Sequence, residues 1–554
     1  MRSRASDHIA ALVYSVAALF SLVKLINTLS IKYYPPHKRH YGEIVYMTLT
    51  GSHQADTYLA LIFILTALSI TVTLYLKRRS LEPSLRLTTR YFIGLLIAIE
   101  ALAAIRWFTY PLWPTPLYSD PSWHFAYIEA QLFYALSPLS PLLMLLVLAS
   151  WIIKPLAASL SKSFKITSLA KLRPDSPSPT LILPSKLLLA AAISLAISMT
   201  LYPYHPNLNP QGLRASVDAY FYDQWLSEML SRNPIEALRY AFMDVQGGSR
   251  PLHLILLYAV ALTTHLPSYV IANFQFTFIS ILFVASTYLL AREALKDGRN
   301  AALAALIAAV SFNMTIGIYA GFASHWLALS IMYIALATYI RRKDSLKNAY
   351  ITAALGVALI YLYAWSWTGF IAILLTYEGL NTIKQRRLSK EALKKLSLII
   401  GIGLAANLAK TYLLSSINSV QAGAQVTQAS CNLIQPINLY KNLVEATFFY
   451  LMGCYTNTPL LLAAFIGALA LNLNDAGHRM LMSIVIPVSI IAIFSSYGLY
   501  AHLLLNLPIP ILAAYAVKNP KTQRQENIIL PTTLLILLNL NYTLRILASI
   551  TTYF

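Results

Sequence analysis

The chain has 554 residues, 57% of them hydrophobic and only 11% charged, with a formal net charge of +21 and a mean hydropathy of +0.59. Soluble domains carry about a quarter charged residues, so this composition excludes a soluble globular protein and calls for a bilayer as solvent. The surplus of cations does not form a basic stripe interleaved with aromatics; it lies in short loops between apolar runs, which speaks for topology rather than nucleic-acid binding.

Runs of spanning length come first at 8–31, 56–76, 90–108 and 129–153. Arg2 and Arg4 precede the first, with no cleavable signal pattern, and Lys77, Arg78 and Arg79 close the second on the cytoplasmic side. A basic Ser/Pro-rich linker at 154–186, with Lys162, Lys165, Lys171 and Arg173, is also expected in the cytoplasm. It divides the chain into a four-span N-terminal region, 1–153, and a larger membrane module, 187–554.

In that module 187–203 leads outward to a polar insert, and 204–267 is expected outside. Leu252 to Thr264 is apolar but too short to cross, and reads as a helix lying on or dipping into the outer leaflet. The spans then alternate at 268–291, 301–319, 322–340, 349–365, 367–383 and 396–415, with Arg292, Lys296, Arg341, Arg342, Lys343 and Lys384 at the inner ends. A second external segment, 416–457, precedes spans at 458–473, 480–496, 500–517 and 528–547. The expected fold class is therefore all-α: a polytopic transmembrane bundle of about fifteen spans, multi-pass in the cell membrane, with the N-terminus cytoplasmic. Cys431 and Cys454 share the external segment, an oxidising setting in which a disulfide is expected.

The candidate chemistry falls on one side. In Ser216-Val217-Asp218-Ala219-Tyr220-Phe221-Tyr222-Asp223-Gln224-Trp225, helical spacing puts Asp218, Tyr222 and Trp225 on one face and Asp223 elsewhere. Asp218 reads either as a general base near the membrane surface or as the cap of the following helix, with Asp223 as the next acid. After Gly247-Gly248-Ser249, Arg250 offers a planar fork suited to phosphate, or simply snorkels at the interface. His325 and Trp326 open a span from an outer turn, Trp365 and Trp367 lie in another, and His502 opens a third outer end. Tyr220, Tyr222 and Trp326 supply flat faces suited to sugar or isoprene, and an ionisable group at membrane depth is a functional candidate by default.

These motifs, in this order, resemble the GT-C superfamily of polyprenyl-phosphate-dependent membrane glycosyltransferases. In its oligosaccharyltransferase members the first external loop reads like Asp-Pro-Tyr-Phe, where this chain has Asp218-Ala219-Tyr220-Phe221. Arg250-Pro251-Leu252 through Ala291-Arg292-Glu293 follows the family's order of turn, surface helix and span. Ala320-Gly321 matches its Ala-Gly, Ser366-Trp367-Thr368-Gly369 its Ser-Trp-Gly-Gly-like turn, and His502 before Leu507-Pro508 its Arg before a Leu/Pro-rich span. Two features depart from the family: Ser324 and His325 replace its acidic pair, and no Trp-Trp-Asp-type signature is present. The resemblance implies transfer of a sugar from a polyprenyl or dolichyl phosphate to a glycan, lipid or protein acceptor at an extracytoplasmic site. Membrane lipids would be further partners and nucleic acid would not. Asp218 and Asp223 would be catalytic, and Arg250, His325, His502, Tyr222 and Trp326 would bind substrate or phosphate. No cofactor is expected, since a hard divalent cation wants the oxygen ligands that Ser324 and His325 replace. The competing reading is a non-catalytic polytopic membrane protein, either a lipid or solute transporter or a degenerate GT-C homologue.

This topology predicts that Leu230→Cys, in a background lacking Cys431 and Cys454, reacts with a membrane-impermeant maleimide added to intact cells. Reaction only after permeabilisation would overturn both the orientation and the external site.

Overall fold

The computed structural model describes residues 184–410 except 207–208, 210, 342–345 and 387–388, then 458–494, 504–518 and isolated positions from 535 to 547. The first four expected spans, nearly all of the basic linker, the segment 416–457 with both cysteines, and His502 lie outside the described residues. The chain divides into two compact units: Met1–Leu145 with Tyr440–Leu461 and Thr533–Tyr542, and Leu146–Leu439 with Leu462–Thr532 and Thr543–Phe554. Nearly all described residues belong to the second unit.

Every regular element among the described residues is a helix. Helix α1 (Ser185–Leu201) is followed by short surface helices α2 (Ala219–Leu230) and α3 (Pro234–Arg239), then by α4 (Pro251–Thr264). Next come α5 (Ser268–Leu295), α6 (Gly298–Ala308), α7 (Phe312–Tyr319), α8 (Ala323–Arg341), α9 (Leu346–Leu362), α10 (Ala364–Gln385) and α11 (Lys390–Ala409). After the gap follow α12 (Thr458–Ala470), α13 (Ala476–Phe494) and α14 (Ile509–Lys518). Among the described residues, four stretches are long and apolar enough to cross a membrane: Ser185–Tyr204, Ser268–Leu295, Ala323–Arg341 and Lys390–Ala409. The chain is a helical membrane protein. α4 has 14 residues, about 21 Å at 1.5 Å per residue, well short of a hydrocarbon core about 30 Å thick.

One expected span is broken. The stretch 301–319 is two helices, α6 and α7, bent by 40° at a break. A broken helix frees backbone groups that lipid cannot satisfy, and here side chains take them up. Ser311 Oγ donates to the Ala308 carbonyl at 3.0 Å and Thr543 Oγ1 to the Val310 carbonyl at 2.8 Å. Asn313 Nδ2 reaches the Leu505 carbonyl at 2.9 Å. Pro251 opens α4 at its first turn, and His265 and Lys296 close α4 and α5 in left-handed caps without glycine.

Small residues let helices approach closely where burial in lipid gives little drive to associate. Ala301, Ala302, Ala304 and Ala305 of α6 are wholly buried, and α6 packs on α1, α5 and α14. The opposite ends of the long helices carry the basic residues. There Lys296 pairs with Asp475 at 2.8 Å and Lys384 donates to the Asn474 carbonyl at 2.6 Å. Buried Arg479 donates to Asn381, which donates to Glu378, whose other oxygen accepts from Tyr339. This chain of bonds ties α8, α10 and α13 at one end and leaves the other end to the loops that form the site.

A β-carbon on Gly467 would fall inside the Leu512 backbone carbonyl, whereas one on Gly369 would meet open space. Gly467→Ala is expected to cost about 1–3 kcal/mol, read as a lower unfolding temperature in detergent. Gly369→Ala, at a helical position, should be neutral or slightly stabilising.

Candidate functional site

The loop after α1 is stiffened by Asn209, whose amide donates to the Leu213 carbonyl at 2.7 Å and accepts from the Leu213 N–H at 2.7 Å. It delivers Asp218 to the first position before α2, where the backbone accepts from Phe221 and Tyr222. The Asp218 side chain makes no capping hydrogen bond. The carboxylate therefore does not serve as the helix cap that the sequence allowed.

What lies beside Asp218 comes from distant segments. Gly321, at φ +74°, packs so closely that an added β-carbon would lie 2.6 Å from Asp218 Cβ, so this turn needs glycine for both its backbone and its contact. Gln246, Gly247 and Gly248 all adopt positive φ, and this tight turn points Arg250 back at α2. Its Nη1 donates to the Tyr222 hydroxyl at 2.9 Å, its Nη2 to Gln246 Oε1 at 2.6 Å and its Nε to Ser249 Oγ at 3.3 Å. The guanidinium lies 5.4 Å from the Trp225 ring centre and interacts electrostatically with Asp218, Tyr222 and Tyr363. Burial raises the Asp218 carboxyl to about 6, against the pull of Arg250.

Below this group the Tyr222 hydroxyl meets Ser324 Oγ at 2.7 Å, and Ser324 Oγ meets His253 Nδ1 at 2.6 Å. His253 and Gln275 also form one wall of an apolar groove of about 320 Å³ between α4 and α5, lined by Leu256, Val260, Phe274 and Phe278. Phe278 is 66% exposed at its edge, so the groove opens sideways.

The remaining sequence candidates take different places. His325 stacks on Tyr363, with ring centres 5.1 Å apart, and bonds through Nε2 to Asn506 Oδ1 at 3.0 Å. His502 lies outside the described residues. Asp223 points away, its two oxygens accepting from Arg214 and from Ser268, and it anchors α2 to the start of α5. Tyr220 is exposed and lies under Arg214. Trp326 is 1% exposed and sits between Phe283 and Gly317, so its ring is core and lines no opening. It entered the sequence reading as a belt or substrate-facing aromatic; the small side of Gly317 is what draws it inward. Sequence reasoning missed His253, Gln246, Tyr363 and Asn506 as site members. Only His253 carried a signal, standing one turn from Arg250 in an otherwise apolar helix.

No family model matches the chain, and no curated protein sequence matches it. Among solved structures it is similar to the archaeal oligosaccharyltransferase AglB from Archaeoglobus fulgidus, in complex with an inhibitory peptide and a dolichol-phosphate, at 12% identity. The likeness covers 66% of this chain and 56% of that one, with a TM-score of 0.42. The chain thus spans little more than half the length of that protein.

The raised Asp218 carboxyl gives a stability test. A carboxyl that binds its proton more tightly folded than unfolded loses stability as pH climbs from about 4 to about 6. Asp218→Asn is therefore expected to raise the unfolding temperature at neutral pH, with the gain vanishing near pH 4. An unchanged difference across that range would mean that the carboxylate is solvated.

Proposed function

We propose that the chain is a membrane glycosyltransferase that moves a sugar from a polyprenyl or dolichyl phosphate to an acceptor on the extracytoplasmic side. The observation that carries this reading is the half-buried Asp218 carboxyl, in electrostatic reach of Arg250, near an apolar groove open at Phe278. The motif order that resembles the GT-C superfamily supports it. Cations at the opposite helix ends support the orientation.

In this reading the carrier's tail lies along the α4–α5 groove and its phosphate meets Arg250. An acceptor hydroxyl is a poor nucleophile, so Asp218 removes its proton as the oxygen attacks the anomeric carbon. The new glycosidic bond forms as the bond from that carbon to the phosphate oxygen breaks, and the phosphate leaves with the electron pair. Arg250 stabilises the charge that develops on it. A carboxyl near 6 is ionised at neutral pH yet more basic than a solvated one. His325, buried and held by Asn506 and Tyr363, acts through the position of Tyr363. Asp223 has no part in the chemistry, since both its oxygens are engaged, and Trp326 acts only through packing.

A second reading, a non-catalytic lipid or solute handler, is favoured by the groove alone, which needs no chemistry to hold an apolar chain. The two part in one assay, with the full chain reconstituted in lipid with a panel of dolichyl-phosphate sugars and mixed acceptors. Asp218→Asn is expected to lower transfer by about 10²–10⁴-fold and Arg250→Ala by about 10²–10³-fold, with Arg250→Lys between. Wild-type protein that binds dolichyl phosphate but transfers nothing from any donor would favour the second reading.

A further inference from the structure

The hydrogen bonds around Tyr222 can run in only one direction. The Tyr222 hydroxyl oxygen receives Arg250 Nη1 at 2.9 Å and the Ser324 backbone N–H at 3.3 Å. Neither group can do anything but donate, and a phenol oxygen has two acceptor sites and one proton. Its proton must therefore go to its third partner, Ser324 Oγ, 2.7 Å away. Ser324 in turn has one proton to give, and its remaining partner is His253 Nδ1 at 2.6 Å. His253 Nδ1 is thus bare and its Nε2 carries the proton. Tyr222 is wholly buried, Ser324 1% exposed and His253 2% exposed, so water does not compete for these groups. The Tyr222 and His253 rings also pack at 5.1 Å.

We propose that Ser324 and His253 are positioning residues, which orient the Tyr222 hydroxyl so that its oxygen faces Arg250 and so hold the guanidinium against Asp218. The inference deepens the reading of this site as the seat of sugar transfer and rests on that reading for its purpose. Its geometry does not depend on it. If Ser324 could not accept, the Tyr222 proton would turn towards Arg250, and a donor would face a donor. A His253 with a proton on Nδ1 would have the same effect one step back. Arg250 keeps Gln246 and Ser249 as partners, so the guanidinium would shift rather than leave. The charged and titratable groups that interact with Asp218 are Arg250 and Tyr363, and only Arg250 is a cation. Any retreat of Arg250 therefore makes the Asp218 carboxylate harder to form.

The test reads the Asp218 proton directly, without turnover. The full chain in lipid nanodiscs is titrated with pH and its protonated-carboxyl stretch followed by infrared difference spectroscopy, Asp218→Asn identifying the band. Ser324→Ala and His253→Gln, which places no acceptor where Nδ1 stands, are expected to move the Asp218 midpoint upward by about one pH unit. His253→Asn puts an amide oxygen where Nδ1 stands and is expected to move it by less than about a third of that. A His253→Gln midpoint equal to wild type would overturn the proposal, and so would a His253→Asn shift as large as that of His253→Gln. Should Ser324→Ala fail to fold, the two His253 variants decide alone. Sugar transfer by Asp218→Asn at the wild-type rate would remove the base from the proposed chemistry while leaving the infrared result to judge the relay, so the two ideas fail separately.

Discussion

The hydroxyl of Tyr222 is where three segments of the chain are tied together. It belongs to α2, which comes from the polar insert; it receives Arg250 from the turn before α4; and it bonds both the backbone and the side chain of Ser324 at the start of α8. Around it the medium is apolar, and an unpaired polar group there costs far more than it does in water. The position of each partner is therefore set by the others. Asp218, four residues before Tyr222, is carried to Gly321 by the same junction, and Arg250 is brought opposite to it. Without the hydroxyl, the insert would have no polar tie to the membrane helices at this point.

The same constraint explains why polarity sits at two ends. Helices satisfy their own backbone along their length, so lipid tolerates them there and nowhere else. At one end the surplus cations bind carbonyls and Asp475, and Arg479 is held by Asn381. At the other, the turns at Gly321, Gly248 and Tyr363 converge. Gln246 shows how firmly that second end is specified: it takes a left-handed backbone beside two glycines, at a cost of about 1 kcal/mol or more for a residue with a side chain. Its amide oxygen in return accepts from Arg250.

Much of the helical layout was legible as a pattern. The long apolar runs, the too-short α4 and the basic helix ends follow from composition and spacing, because lipid admits few alternatives. The different directions of Asp218 and Asp223 were legible too, since helical spacing already placed Asp223 off the face shared with Tyr222. What periodicity could not carry were contacts between segments a hundred residues apart. Ser324 read as the loss of an acid, yet it is the hinge of the bond chain from Tyr222 to His253. Trp326 read as an interfacial ring, but the space left by Gly317 draws it into the core. The break between α6 and α7 was hidden because Ala309-Val310-Ser311 is as apolar as a continuous span.

That break has a bearing on how the protein is made. The Val310 carbonyl it frees is satisfied by Thr543, 233 residues later in the chain. At about 5–20 residues per second, a ribosome takes roughly ten to fifty seconds to cover that distance. Through that interval the bent helix waits in the membrane with an unfilled acceptor, in need of a water, a lipid headgroup or an insertion factor to cover it. Completion of this bent helix is thus bound to a segment made 233 residues later.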